Sequence, residues 1–364
     1  MKLVVFGLSI SSSWGNGHAT LWRGLCRELS RLSHRVVFFE RDMPYYRNAR
    51  DLDRLEGGEL VLYASWDEVW ARAARELQSA DAGIVTSYCP DGTLASELVL
   101  ERCSGARVFY DLDTPMTLAA LERGTRPDYL PPSGLGGFDL VLSFTGGRAL
   151  ELLRERLGAR HVDVLYGHVD PAAHHPVAPA DSLRADLSYL GTYAADRQAK
   201  LEELFLAPAA AAPERRLSIA GSMYPEPGRF PGNVLHIPHL PPAEHAAFFC
   251  SSRWTLNLTR DTMARLGHCP SGRLFEAAAC GTPLLSDEFE GLELFFEPGS
   301  EIEIVRNRAD VLRALAASPR ELEARAERAR RRVLAEHTAA SRAKRLLRLL
   351  SALPSSAPRS GSST

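Results

Sequence analysis

The sequence predicts an α/β architecture of two Rossmann-like, doubly wound parallel-sheet halves facing across a cleft, and three observations carry that expectation. The chain has 364 residues, which at roughly 150 residues per domain suggests two domains. Short β-branched apolar runs alternate with helical periodicity almost throughout. A proline-rich stretch at 171–179 (PAAHHPVAP) interrupts the alternation, which then restarts. Strand, helix, strand repeated in this way implies parallel strands covered on both faces. Ligands of such sheets bind beyond the carboxyl ends of the strands.

In the first half the strands are expected at Leu3–Phe6, Val36–Phe39, Leu60–Tyr63, Ile84–Thr86, Val108–Tyr110, Leu140–Ser143 and Val162–Leu165. Between the first two, Leu21, Leu25, Leu29 and Leu32 form one stripe with Arg23, Arg27 and Arg31 outside it, the pattern of an amphipathic helix. The second half offers strands at Leu187–Leu190, Leu217–Ala220, Val234–His236, Trp254–Leu258 and Pro283–Ser286. A helix from about Ser271 to Cys280 precedes the last of these and is stopped by Gly281. From about Pro319 to Leu350 the pattern is helical and Arg-rich, and Arg330–Arg332 with Arg342–Arg348 read as a solvated face. Low-complexity residues at the end of the chain read as a disordered tail over 353–364.

Composition narrows the function classes. Hydrophobic residues at 45% and charged residues at 24% suffice for two cores and exclude a largely disordered chain. The 43 basic and 45 acidic side chains give a net charge of -2, so no overall positive field draws in nucleic acid or an acidic membrane, and no nucleic-acid partner is expected. Six scattered cysteines without a C-x-x-C pair read as reduced core thiols. The opening MKLVVFGLSI runs into SSSWGNGH without a small-residue cleavage site and reads as a buried strand. No apolar run approaches the ~18 residues that cross a bilayer. A cytoplasmic protein without a transmembrane segment is expected.

Four motifs carry chemistry. In Gly15-Asn16-Gly17-His18, glycines let backbone approach a ligand and helix-start N–H groups favour anionic oxygens. His18 at that positive end is favoured as neutral imidazole, the form a general base needs; a turn with a hydrogen-bonded histidine is the plain alternative. A dinucleotide reading with Glu40 as the ribose acid lacks the third glycine, since Thr20 stands there, and its first loop is too long. Asp111 and Asp113 close a strand in VFYDLDTP, where alternation points both carboxylates one way; they either hydrogen-bond ligand hydroxyls or form a structural pair ahead of Pro115. Thr145-Gly146-Gly147 opens another helix and either contacts a ligand or packs as a turn. The histidines His161, His168, His174 and His175, and separately His236, His239 and His245, have no zinc spacing or thiolate support, so no metal is expected.

The fourth motif is the richest. Asn257-Leu258-Thr259-Arg260 closes a strand, followed by His268-Cys269-Pro270-Ser271-Gly272-Arg273-Leu274-Phe275-Glu276. The N–H groups of Ser271 and Gly272 at a helix start suit a diphosphate, and Arg260 and Arg273 can neutralise it bidentately. Glu276, one turn on, can accept from vicinal hydroxyls such as those of a ribose. A small-residue helix packing on a sheet accounts for Ala277–Ala279 but not for the flanking Arg and Glu.

These same residues, R-L-F-E-A-A-A-C-G-T-P-L-L-S-D and then G-L-E-L-F-F-E-P-G-S-E-I, resemble the donor domain of two-domain, GT-B-fold glycosyltransferases. The CgeB-like group resembles the chain from about residue 5 to 345, through S-S-W-G-N-G-H-A-T-L-W-R, F-Y-D-L-D-T-P-M-T-L, L-S-F-T-G-G and L-G-T-Y-A-A-D-R-Q. The resemblance implies an acceptor domain over 1–170, a linker over 171–186, a donor domain over 187–336 and a helix over 337–352 crossing back to the first domain. It implies a glycosyltransferase using a nucleotide-diphosphate sugar as co-substrate, with no other cofactor and no metal. Glu276 matches the ribose acid, and Gly191, Thr192, Tyr193 and Arg197 fall in the diphosphate loop of the donor domain. His268 stands where larger retaining families carry a sugar-facing Glu, which leaves the stereochemistry open. His18 and Asp113 are the catalytic candidates; Asn16, Gly17, Asp111 and Gly146 lie on the acceptor side. The acceptor itself, whether protein, polysaccharide or small metabolite, is not readable. Two other readings stay open: an epimerase or hydrolase of the same fold, and a catalytically silent scaffold that binds nucleotide-sugar.

Overall fold

The computed structural model describes residues 1–225 and 230–354. Two compact units divide the chain: Met1–Tyr166 together with the chain from Ala340, and Gly167–Ala339. Of the expected tail, residues 355–364 lie outside the described residues.

The first unit is built on seven parallel strands: β1 Lys2–Gly7, β2 Arg35–Arg41, β3 Gly58–Tyr63, β4 Ala82–Thr86, β5 Ala106–Asp111, β6 Leu140–Ser143 and β7 Val162–Val164. Their order is β3-β2-β1-β4-β5-β6-β7. Side chains alternate across the sheet, so Val4, Phe6, Val37 and Phe39 enter one core and Leu3, Val5, Val36 and Phe38 the other. Both sets are apolar because helices cover both faces, which is why these strands read as continuous hydrophobic runs. The strand order reverses between β1 and β4, and the loops after β1, β4 and β5 gather at that switch point.

The second unit repeats the plan with β8 Ala185–Leu190, β9 Leu217–Ala220, β10 Val234–Ile237, β11 Ser252–Asn257, β12 Leu284–Ser286 and β13 Ile302–Ile304, in the order β10-β9-β8-β11-β12-β13. Its switch point lies between β8 and β11. Sequence reading missed β13, whose three residues pair with β12 and are too short to show a period.

The proline-rich stretch packs within the second unit, with Val177 N–H on Cys250 Sγ, Ala180 N–H on Ser251 Oγ, and His174 buried. One expectation needs correction. The C-terminal arginines are not a purely solvated face. Ala343, Leu346 and Leu350 of the Ala339–Ala352 helix enter the Leu3/Val5 core, while Arg342 and Arg345 donate to the carbonyls of Tyr166 and Val164. These carbonyls beyond and at the end of β7 need donors, and a guanidinium can reach them while its stem packs on the sheet. Arg330 likewise donates to the Ala279 carbonyl at a helix end. Among the described residues no helix is long and apolar enough to cross a membrane.

Candidate functional site

In the second unit, the loops after β8 and β11 and the Gly272–Ala279 helix converge. Gly191 follows β8 and donates its N–H to the Ala220 carbonyl. A Cβ there would lie 2.8 Å from Arg273 Nη2 and 2.8 Å from the Tyr189 hydroxyl, so the absence of a side chain is what lets the guanidinium approach. Arg273 lies over the Tyr189 ring at 5.1 Å and donates through Nη1 to Asn257 Oδ1 at 3.2 Å. Its Nε is buried without a partner. Burial lowers its proton affinity, while Tyr189 acts in the opposite direction; a guanidinium stays charged regardless. The Gly272–Ala279 helix begins at Ser271 without a side-chain cap, and the space where a Gly272 Cβ would stand is open. Glu276 lies one turn in, near His174 and His245.

The structure thus brings Gly191, Asn257, Ser271, Gly272, Arg273 and Glu276 into one neighbourhood. Asn257 supports it from below: it is 1% exposed, and its amide donates to Ser286 and Thr259. Arg260 departs from expectation, because its Nε donates to both carboxylate oxygens of Asp196 at 3.0 and 3.1 Å. That pairing already compensates its charge, which leaves Arg273 as the better-placed cation. In the β8 loop, Arg197 donates to the Thr192 carbonyl, and Tyr193 is held by its N–H on Ser222 and by ring contact with Tyr224. His268 has a left-handed backbone (φ 49°), donates its N–H to the Glu290 carbonyl and leaves ring Nδ1 without a partner. Lys200 was missed by sequence reading. It is one of three lysines in the chain, and it ties this region together by donating to the Thr259 carbonyl and pairing with Asp287 at 2.9 Å.

In the first unit, Asn16 caps the Gly17–Arg31 helix, accepting from His18 N–H at 2.9 Å and donating to the carbonyls of Ser9 and Ser12. Its side chain is therefore committed to the loop, not free for a ligand. Gly17 is exposed, with open space where its Cβ would be. Glu40, the rejected dinucleotide acid, is fully buried and accepts from the Ser9 and Ser11 hydroxyls and the Ile10 and Ser11 N–H groups. It braces the loop and has no role left for a ribose.

The His18 ring sits 5.8 Å from the Tyr88 ring, and the Tyr88 hydroxyl donates to Asp113 Oδ2 at 3.2 Å. Tyr88 therefore links the two catalytic candidates; only its positive φ of 62° and its fold position mark it. Burial of the His18 imidazole pushes its pKa down to about 4, which keeps it neutral near pH 7. The two aspartates do not share one strand face. β5 ends at Asp111, so strand alternation does not reach Asp113, which instead precedes the Thr114–Glu122 helix. Asp111 is fully buried, accepts from Asp113 N–H, and is pushed up to about 6 by burial. Gly146 is also buried, in a turn that Ser143 and Thr145 tie back to β6.

Comparison with known proteins adds to this geometry. Residues 197–348 match the family model described as glycosyl transferase-like. No curated protein matches the chain. Sucrose-phosphate synthase from Thermosynechococcus elongatus superposes over 96% of this chain and 98% of its own, with a TM-score of 0.67 at 14% identity. Anabaena HepE, solved with UDP and glucose, covers 97% and 100% with a TM-score of 0.64 at 13% identity. An alpha-glucosyltransferase solved with UDP-glucose and DNA containing an abasic site covers 96% and 99% with a TM-score of 0.68 at 11% identity. At these identities the likeness establishes the fold. A neighbour with bound DNA means that the fold alone does not exclude a nucleic-acid partner. The chain thus has a GT-B fold, and residues 197–348 within it match a glycosyl transferase-like family model.

Proposed function

We propose that the protein moves a sugar from a nucleotide-diphosphate donor, held by the second unit, to an acceptor nucleophile without a metal on the diphosphate, as a CgeB-like glycosyltransferase. The observation that carries this reading is Arg273, a buried cation with an unpartnered Nε beside the side-chain-free Gly191 and the uncapped start of the Gly272–Ala279 helix. Backbone N–H groups and a guanidinium together are a complete set of donors for phosphate oxygens. Glu276, one turn further, accepts from the ribose hydroxyls. The neighbours solved with UDP and with UDP-glucose support a nucleotide-sugar donor.

In the transfer, the acceptor oxygen bonds to C1 of the sugar as the bond from C1 to the diphosphate oxygen breaks. The electron pair leaves with the nucleoside diphosphate, where Arg273 and the helix N–H groups meet the growing charge. These donors are fixed beforehand, so they stabilise the departing diphosphate more than the ground state. In an inverting transfer the acceptor proton passes to His18, held neutral by burial and in ring contact with the Tyr88 that bonds Asp113.

Thermal-shift measurements with UDP, GDP, ADP and TDP and their sugars, with and without magnesium, test this. Ligands that bind only the folded state raise Tm by mass action. One nucleotide is expected to stabilise the protein without metal. Arg273→Met should weaken that binding at least tenfold, from the ~1.5–3 kcal/mol of a charge-assisted contact, and Glu276→Ala should abolish selectivity for the ribose. No shift with any nucleotide would overturn the donor assignment. Donor turnover without acceptor would replace transfer by hydrolysis or epimerisation, and binding without any nucleotide release would leave a scaffold.

A further inference from the structure

Glu276 has two neighbours that donor binding does not use. His174 comes from the proline-rich stretch and His245 from the Pro242–Cys250 helix, and one ligand atom from each lies within 4.8 Å of the others and of the Glu276 carboxylate. The three come from segments far apart in sequence, all within the second unit. His174 Nε2 is 4.0 Å from Glu276 Oε1, too long for a hydrogen bond, and the two imidazole rings are 5.9 Å apart.

The hydrogen-bond accounting of these rings is incomplete in a telling way. His245 Nε2 stands 3.2 Å from the Leu240 carbonyl. A carbonyl only accepts, so this nitrogen carries the proton and Nδ1 presents a lone pair. That Nδ1 is buried without a partner, and so are both ring nitrogens of His174, a residue only 3% exposed. Buried polar atoms ordinarily find partners, so three orphaned nitrogens beside a carboxylate require an explanation.

We propose that His174, His245 and Glu276 bind a zinc-class divalent transition-metal ion, and that this ion competes with the nucleotide for Glu276. Two imidazoles and one carboxylate suit zinc and its neighbours; magnesium and calcium prefer all-oxygen sets. The His245 N–H on the Leu240 carbonyl is the outer contact that orients a ligating imidazole. Ligand atoms around tetrahedral zinc lie about 3.3 Å apart, given bonds of about 2.0–2.1 Å, so a modest closing of side chains completes the site. Three protein ligands leave one position open. The metal half of this inference stands on the cluster alone; the competition half rests on the ribose reading of Glu276.

The test uses the full chain stripped of metal. Co²⁺ alone is titrated by visible absorption and Zn²⁺ alone by calorimetry. One equivalent should bind, with at least tenfold weaker binding in His174→Phe and in His245→Phe. His174→Gln serves as the milder variant if His174→Phe melts early. Both phenylalanine variants should keep wild-type affinity for the most stabilising of UDP, GDP, ADP and TDP. Zn²⁺ should weaken that nucleotide's binding to the wild type beyond its effect on His245→Phe, which corrects for chelation of metal by the diphosphate. Absence of stoichiometric metal, or binding indifferent to both histidines, would overturn the site. Stoichiometric metal with nucleotide affinity unchanged would overturn the competition. Failure of every nucleotide to bind while metal still binds would sink the donor reading and leave the metal site standing.

Discussion

His18 and Asp111 show how burial sets charge in opposite directions on one sheet edge. Desolvation disfavours whichever form is charged, so it lowers the histidine to about 4 and raises the aspartate to about 6. Their effects on stability then have opposite signs. Between about pH 4 and 6.5 the unfolded chain protonates His18 and the folded one does not, so the histidine's contribution to stability is lost as pH falls through that window. Asp111 holds a proton in the fold up to about pH 6 that the unfolded chain releases near 4, so its contribution is lost as pH rises through that interval. His18→Gln is therefore expected to flatten the fall in Tm between pH 6.5 and 4, and an NMR titration should place the His18 midpoint near 4. A midpoint near 6.5, or an unchanged acid profile in the variant, would contradict this account. The sequence marked His18 by its place after Gly17, but the burial that tunes it comes from residues remote in the chain.

At the scale of elements, the loop after β8 depends on how closely two turns approach each other. Gly221 follows β9, and a Cβ there would stand 2.0 Å from the Gly191 carbonyl oxygen and 3.1 Å from Thr192 N. Both obstacles are backbone, which cannot rotate away, so one loop must move. Gly221→Ala is predicted to cost about 1–3 kcal/mol, the range for overpacking, and to displace the turn that positions Arg273. A melting temperature within a degree of wild type would refute it. The motif around Arg273 and Glu276 was legible because a helix start needs only local sequence. The Arg260–Asp196 pair was not, since its partners are 64 positions apart and nothing local announces which acid meets which arginine. The strand ending at Asp111 is a similar case: period-two alternation is a property of extended backbone, and the sequence did not show where extension stops.

On the scale of the whole molecule, the first unit is made of two pieces of chain. The Ala339–Ala352 helix closes its core with Ala343, Leu346 and Leu350. Leu346 is essentially buried, so Leu346→Ala should destabilise the first unit by about 2–4 kcal/mol through lost burial and an unfilled cavity. Urea denaturation checks this, and a loss under about 1 kcal/mol would show that the helix is dispensable to that core. The same helix corrects the reading of its arginines, which charge patterning took as a solvated face. Arg342 and Arg345 instead satisfy carbonyls at and beyond the end of β7.

By itself the sequence determined the class of fold, the alternation of strands and helices, and the helix that carries Arg273 and Glu276. Each of these depends on periodicity or on neighbours within a turn or two, which the order of residues records directly. The tertiary structure alone decided which distant groups meet: Tyr88 between His18 and Asp113, Asp196 on Arg260, Glu40 bracing a loop, and His174 with His245 beside Glu276. Neither histidine group had metal spacing because the cluster takes one member from each. Such contacts are set by how parallel strands are ordered and how their connections cross the sheet, and side chains separated by scores of residues carry no local mark of their eventual partners.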